Sequence, residues 1–225
     1  MKASGRRRWL QAALAAVGAA ALGRPSSLQA AAAPDLALPA DAPTRAYDFD
    51  GSGIDGWTVV TGQWAVEDLP GGRKKGLVQR ATQNEFNVIV APDVLADADV
   101  SVSFQPLRGR EDASGGIVFR FDAGRYYVVR ANALEDNVRL YTYDRGRRQI
   151  ASAAVKAPVL GRWHTLRLVA LGDRMQAWLD GVRYLDHRDS RFADGRVGLW
   201  TKADSVTAFQ GLTVRGVARA SGERR

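Results

Sequence analysis

Three stretches of this chain set arginine, asparagine and tyrosine where they could act on a ligand: 116–121 (GIVFRF), 126–133 (YYVVRANA) and 137–143 (NVRLYTY). Side chains alternate across a strand, so every second residue shares a face. In the first stretch Ile117, Phe119 and Phe121 fall on one face and Arg120 on the other. In the second, Tyr127, Val129, Ala131 and Ala133 oppose Tyr126, Val128, Arg130 and Asn132. In the third, Val138, Leu140 and Thr142 oppose Asn137, Arg139, Tyr141 and Tyr143. One face reads as core. The other is a strip of forked donors, amides and planar rings, a combination suited to a sugar-like ligand. The bland alternative is that the arginines are solvent-facing stems covering an open sheet face.

The carboxylates near this strip are Glu135, Asp136, Asp180 and Asp204. Glu135-Asp136 lies in an expected hairpin turn, where Asp is common because it stabilises turns. Asp180-Gly181 separates two apolar runs and reads as a hairpin turn with positive φ at both residues. Asp204, with Lys202, belongs to 200–205 (WTKADS), where a loop role and a site role stay equally open. Trp178 alternates away from Met175, Ala177 and Leu179, and Trp200 away from Val197 and Leu199. That parity favours the non-core face and a stacking role for both rings, with core filling as the alternative. Trp57, Trp64 and Trp163 read as core. His164 alternates with Leu166 and Leu168 and is expected to be packed or hydrogen-bonded; His187 lies in a polar turn.

With two His and no Cys, a transition-metal centre, a disulfide and a thiol nucleophile all fall away. Residues 48–53 (DFDGSG) copy the opening of a calcium loop, but its twelfth position is Val59 rather than Glu. They read as a strand end and a Gly-rich turn. A structural calcium ion stays an open alternative, and no other cofactor is expected.

The strip needs strands to hold it. From Ala46 onward turn signals recur every 8 to 15 residues and no helical period appears. Short strand candidates between Arg45 and Val214 alternate with Gly71-Gly72, 112–116 (DASGG), 144–146 (DRG), Gly172-Asp173 and Asp180-Gly181. Many short strands so punctuated argue an all-β sandwich or barrel in one domain, over 46–215. Residues 1–33 read as an export signal: Arg6-Arg7-Arg8, an Ala-rich apolar stretch, then 30–33 (AAAA) for signal peptidase. The apolar stretch is shorter than the roughly 20 residues that span a bilayer, so no membrane anchor is expected after its removal. RRRWLQ resembles the twin-arginine pattern, with an ordinary secretory signal as the alternative. The expectation is an exported protein, periplasmic or extracellular, that uses the twin-arginine machinery. Residues 34–45 read as a Pro/Ala-rich linker and 216–225 as a basic tail. The formal charge of +8 shrinks once residues 1–33 go: five of the 32 basic residues leave with them, so 27 remain against 24 acidic, or +3. No dense basic stripe remains for phosphates, and no nucleic-acid partner is expected.

The order of these elements resembles the concanavalin A-like lectin/glucanase superfamily. Within it the chain is similar to the 3-keto-disaccharide hydrolase family of exported bacterial domains. Phe49 with Gly56-Trp57, 115–121 (GGIVFRF), 126–141 (YYVVRANALEDNVRLY), 163–168 (WHTLRL), 177–181 (AWLDG) and 195–209 (GRVGLWTKADSVTAF) carry the resemblance. It implies a jelly-roll β-sandwich of two antiparallel sheets with a concave, carbohydrate-holding face. Such domains are often named family 16 glycoside hydrolases, which need Glu-x-Asp-x-x-Glu on one strand. Here the residues two after Glu67, Glu85, Glu111, Glu135 and Glu223 are Leu69, Asn87, Ala113, Asn137 and Arg225, so that chemistry is excluded. A 3-keto sugar asks less of a catalyst, because the ketone acidifies the neighbouring C–H. One base, Glu135, with Arg130 and Arg139 to stabilise an enolate, would suffice. The competing expectation is a non-catalytic binding module that uses Tyr126, Tyr141, Trp178 and Trp200 as platforms. On either expectation Arg120, Asn132, Asn137, Lys202 and Asp204 complete the ligand face. A third alternative is a structural or interaction domain with no small ligand.

Overall fold

The computed structural model describes residues 33–50, 53–69, 75–82 and 84–218. The expected export signal up to residue 32, and the tail from 219, lie outside the described residues, as do Gly51 and Ser52 of the calcium-like stretch. Two antiparallel sheets face each other. One holds eight strands: β1 (Thr44–Tyr47), β3 (Trp64–Asp68), β4 (Lys75–Gln79), β6 (Asp97–Arg108), β11 (His164–Leu171), β12 (Arg174–Leu179), β13 (Val182–Arg188) and β15 (Val206–Val217). Their order is β13-β12-β11-β6-β15-β4-β3, with β1 also paired to β15. The second sheet holds β2 (Thr58–Thr61), β5 (Phe86–Leu95), β7 (Ser114–Asp122), β8 (Arg125–Asn132), β9 (Glu135–Tyr143), β10 (Arg147–Ala154) and β14 (Gly195–Lys202). Its order is β10-β9-β8-β7-β14-β5-β2. Among the described residues no helix is long and apolar enough to cross a membrane.

Alternation decides what fills the space between the sheets. Ile117, Phe119, Tyr127, Val129, Ala131, Val138 and Leu140 come from the seven-stranded sheet; Val100, Val102, Phe104, Leu166, Leu168 and Phe209 come from the other. The sheets approach closely where Gly115 lies over Phe104: a β-carbon there would sit 2.5 Å from the ring. The opposite face of the seven-stranded sheet carries a second apolar cluster of Val88, Val90, Val118, Phe121, Tyr126, Val128, Tyr141, Tyr143 and Trp200. Two-residue turns join the strands: Ala123 and Gly124 (φ 46° and 86°), and Asp180 and Gly181 (φ 50° and 81°), the latter as expected for Asp-Gly.

Several expectations give way. Phe121 does not share a face with Ile117 and Phe119, because a bulge between Phe119 and Asp122, with Arg120 at φ 51°, inverts the parity. Trp163 is 39% exposed rather than core, since β11 begins one residue later. Glu135 does not sit in the turn: Ala133 and Leu134 make it, and Glu135 is the first residue of β9, opposite Asn132. The Pro/Ala-rich segment before β1 is extended as expected, but it is docked on the eight-stranded sheet. The Leu36 N–H donates to Gln176 Oε1 (2.6 Å), Arg215 Nη2 donates to the Pro39 carbonyl (2.9 Å), and Leu38 and Ala42 are buried. His164 is hydrogen-bonded as expected. Its Nε2 accepts the Val159 N–H at 2.8 Å, which leaves the Nδ1 proton for Asp180 Oδ2 at 2.7 Å.

Candidate functional site

The β8–β9 hairpin builds the polar end of the strip. Asn132 Oδ1 accepts the Leu134 N–H (2.9 Å) and the Ala113 N–H (3.2 Å), which closes the turn and ties it to the entry of β7. Cross-strand register then sets Arg130 against Arg139 and Val128 against Tyr141. Two like charges side by side require a counter-charge. Glu135 supplies it: its Oε2 accepts from Arg130 Nη2 (2.8 Å) and Asn137 Nδ2 (3.0 Å) and lies 3.2 Å from Arg139 Nη1. Arg130 Nη1 also donates to Asn137 Oδ1 at 2.8 Å, and both guanidiniums reach Tyr141 Oη at 3.3 Å. Arg130 is 3% exposed, whereas the side chains of Arg139 and Glu135 are 32% and 36% exposed. The inner member is held and the outer two meet solvent.

Partial burial alone would raise the Glu135 pKa. The hydrogen bonds from Arg130 and Asn137 and the charges of both arginines outweigh it, so the carboxyl sits below its ordinary value of 4.5. It is ionised at neutral pH and is a weaker base for that reason. Four buried donors on this face have no hydrogen-bond partner among the described residues: Asn132 Nδ2, Arg139 Nε, Tyr143 Oη and Trp200 Nε1.

Beyond Tyr141 the face becomes aromatic. Phe121 and Tyr126 stack at 5.6 Å, Tyr126 and Tyr143 at 4.5 Å, and Phe86 joins Tyr143 at 4.8 Å and Trp200 at 5.9 Å. Gly116 makes room for Trp200, because a β-carbon there would lie 3.2 Å from both the indole and Arg130 Cβ. Trp200 therefore occupies the non-core face, as parity implied, but it is fully buried among the other rings and offers no open platform. Tyr126 and Tyr141, at 6% and 4% exposure, are likewise buried and offer no open platform. Burial pushes the Tyr126 phenol well above its usual range.

Four further residues expected on the ligand face do other work. Arg120, turned inward by its bulge, donates to the carbonyls of Ala96 (2.8 and 3.0 Å), Gly172 (2.7 Å) and Phe192 (2.9 Å), and so pins loops at one end of the sandwich. Trp178 lies on the eight-stranded sheet, 5% exposed under the Arg167 guanidinium at 4.9 Å, so it cannot share a ligand with Tyr141. Asp204 accepts the backbone N–H groups of Arg110 (2.7 Å), Glu111 (3.0 Å) and Asp112 (3.0 Å); it is a loop clamp. Lys202 lies 3.7 Å from Asp112 Oδ2 and borders the site rather than joining its network.

Arg147 was missed by the sequence reading. The tight 144–146 turn starts β10 two residues before the expected strand and sets Arg147 opposite Tyr143. Its guanidinium lies 5.3 Å from the Tyr141 ring centre and 5.9 Å from that of Phe86. The signal was the alternation of Arg147 with Gln149. Among the described residues no three His, Asp or Glu side chains are grouped to hold a metal ion. Asp48 and Asp50 instead accept the N–H groups of Asp50 (3.1 Å) and Lys75 (2.7 Å).

Two antiparallel sheets with a polar and aromatic outer face define a jelly-roll sandwich of the lectin class. Residues 46–215 match the 3-keto-alpha-glucoside-1,2-lyase-like domain, and the chain belongs to that family. It is 26% identical to the solved carbohydrate binding module CBM66 from Bacillus subtilis, with a TM-score of 0.63, over 72% of this chain and 97% of that one. A levanase of Bacillus subtilis (strain 168) is 28% identical over an alignment of 172 residues that covers 72% of this chain but 23% of the levanase. A Bacillus subtilis protein with a galectin-like fold matches at 13% identity and a TM-score of 0.58, which speaks to fold alone.

Proposed function

We propose that this is an exported saccharide-recognition domain that binds its ligand on the outer face of the seven-stranded sheet, around Glu135, Asn137, Arg139 and Tyr141. The observation that carries this reading is the hydrogen-bonded array from Arg130 to Tyr141, anchored on the buried Arg130 and open at Glu135 and Arg139. Rigid strands with fixed donors and acceptors suit the hydroxyls of a sugar, since little ordering remains to be done on binding. The similarity to a carbohydrate binding module over nearly all of that module's length supports it.

A second reading follows from the family description and from Glu135 Oε1, which accepts no hydrogen bond from the described residues. Here the substrate is a 3-keto-glycoside. Glu135 takes the proton from the carbon beside the ketone, the guanidiniums balance the enolate, and the aglycone oxygen leaves as the electron pair returns. The depressed Glu135 pKa weighs against it, because lowering the pKa of a base lowers its driving force for proton transfer.

Proton NMR separates the readings: the protein with a panel of glucosides, disaccharides and their 3-keto forms. Saturation transfer without new anomeric signals supports recognition alone. New anomeric signals from the 3-keto forms only, lost in Glu135→Gln, support the lyase. No transfer from any sugar refutes both.

A further inference from the structure

Three guanidiniums converge on one phenol. Arg130 Nη2 and Arg139 Nη1 each donate to Tyr141 Oη at 3.3 Å, and the Arg147 guanidinium lies 5.3 Å from the centre of that ring. One carboxylate answers them. Glu135 Oε2 is 2.8 Å from Arg130 and 3.2 Å from Arg139, while Arg147 forms no ion pair among the described residues. The next acids, the buried Asp112 and the exposed Glu111, lie 3.7 and 4.0 Å from the single cation Lys202. Four cations, Arg130, Arg139, Arg147 and Lys202, therefore face three carboxylates, a surplus of one positive charge. Hydroxyl groups alone do not call for that surplus; an oxyanion does, because a guanidinium fork binds one with paired, charge-assisted hydrogen bonds.

The position is accessible. β10 is an edge strand, and its exposed Arg147 and Gln149 stand opposite Tyr143 and Tyr141, with Ser152 opposite Arg139. Directly opposed residues point to the same face, so this row borders the Arg139 and Glu135 side chains.

We infer that the site takes a saccharide carrying an oxyanion, namely a uronic acid sugar whose carboxylate is received by Arg139 and Arg147. Its hydroxyls are then met by the amides of Asn137 and Gln149. This rests on the saccharide-recognition reading above and specifies its ligand class.

The test compares methyl glucuronide, methyl glucoside and inorganic sulfate as titrants of the purified protein, by calorimetry or NMR shift, at low and near-physiological salt. The glucuronide is expected to bind about tenfold tighter than the glucoside, with a gap that narrows as salt rises. Arg147→Gln is expected to erase most of the gap, and Arg147→Lys to restore part of it, with melting temperatures unchanged. Equal affinities for the two sugars, or a gap that survives Arg147→Gln, overturns the inference and leaves neutral-sugar recognition standing. Sulfate that binds as tightly as the glucuronide also overturns it, since the pyranose ring would then contribute nothing. Failure of both sugars refutes the recognition reading as well.

Discussion

Replacing Glu135 by Gln isolates the charge at the centre of the array while leaving a neutral acceptor of nearly the same shape. Glu135 Oε2 meets two guanidiniums and one amide at 2.8, 3.2 and 3.0 Å. A hydrogen bond to a charged group contributes about 1.5–3 kcal/mol net and a neutral one about 0.5–1.5, so neutralising the acceptor costs about 1 kcal/mol per guanidinium. The Glu135 side chain is 36% exposed, and solvent screening roughly halves that sum. Arg130, 3% exposed, is then left buried with neutral acceptors only, which restores part of the cost. The expected loss at neutral pH is about 1–2 kcal/mol, or about 3–6 °C in melting temperature for a domain of this size. The sign of the pH dependence follows from the depressed pKa. The folded protein holds this carboxyl more acidic than the unfolded chain does, so its contribution is present above the ordinary value of 4.5. It is lost as pH falls through the lower, folded value. Calorimetric melts of both proteins from neutral pH down through the acid range check this: the gap should be present at neutral pH and should narrow as pH falls below 4.5. A variant that melts with the wild type at neutral pH, or a gap that persists unchanged in acid, would refute the assignment of Glu135 as the counter-charge.

Four other outcomes are expected. Trp178→Ala should lose about 3 kcal/mol in urea denaturation through its missing packing, yet leave sugar affinity unchanged, because the ring stands on the other sheet. Gly115→Ala should cost about 1–3 kcal/mol, since the new β-carbon meets the Phe104 ring at 2.5 Å from the inter-sheet side, where a shift of Phe104 disturbs the core. Asp204→Ala, which strips the acceptor from three backbone N–H groups, should cost about 1–3 kcal/mol and speed amide exchange at Arg110, Glu111 and Asp112. If the first residues act as a twin-arginine signal, Arg6→Lys with Arg7→Lys should retain the protein in the cytoplasm, which cell fractionation reads directly.

The alternation of β8 and β9 was legible because it is a local property: a period of two assigns Tyr127, Val129, Val138 and Leu140 to one face and Arg130, Arg139 and Tyr141 to the other. The turn residues were legible for the same reason. Asp180-Gly181 needs positive φ, and a β-carbon penalty elsewhere leaves few alternatives. Parity failed where a single extra residue intervened. The bulge at Arg120 inverted its face and that of Phe121, and nothing in 116–121 announces it. Turn length escaped likewise, so Glu135 moved from a loop into the strand and became the partner of two arginines.

What the sequence by itself determined is therefore the inventory of strands, their core faces and the chemical character of the exposed strip. All of these follow from neighbours within a few residues. Only the tertiary structure decided which strips coincide. Trp178 and Trp200 have the same local parity, yet pairing in different sheets sends one to each side of the sandwich. Arg147 joins Tyr141 and Phe86 only because β10 lies at the edge beside β9 and rings from β5 cross the face. Asp204 is a clamp rather than a ligand because the loop before β7, over ninety residues earlier, delivers three N–H groups to it. Strand order is a long-range property set by how two sheets bury their apolar faces together, and no local period encodes it.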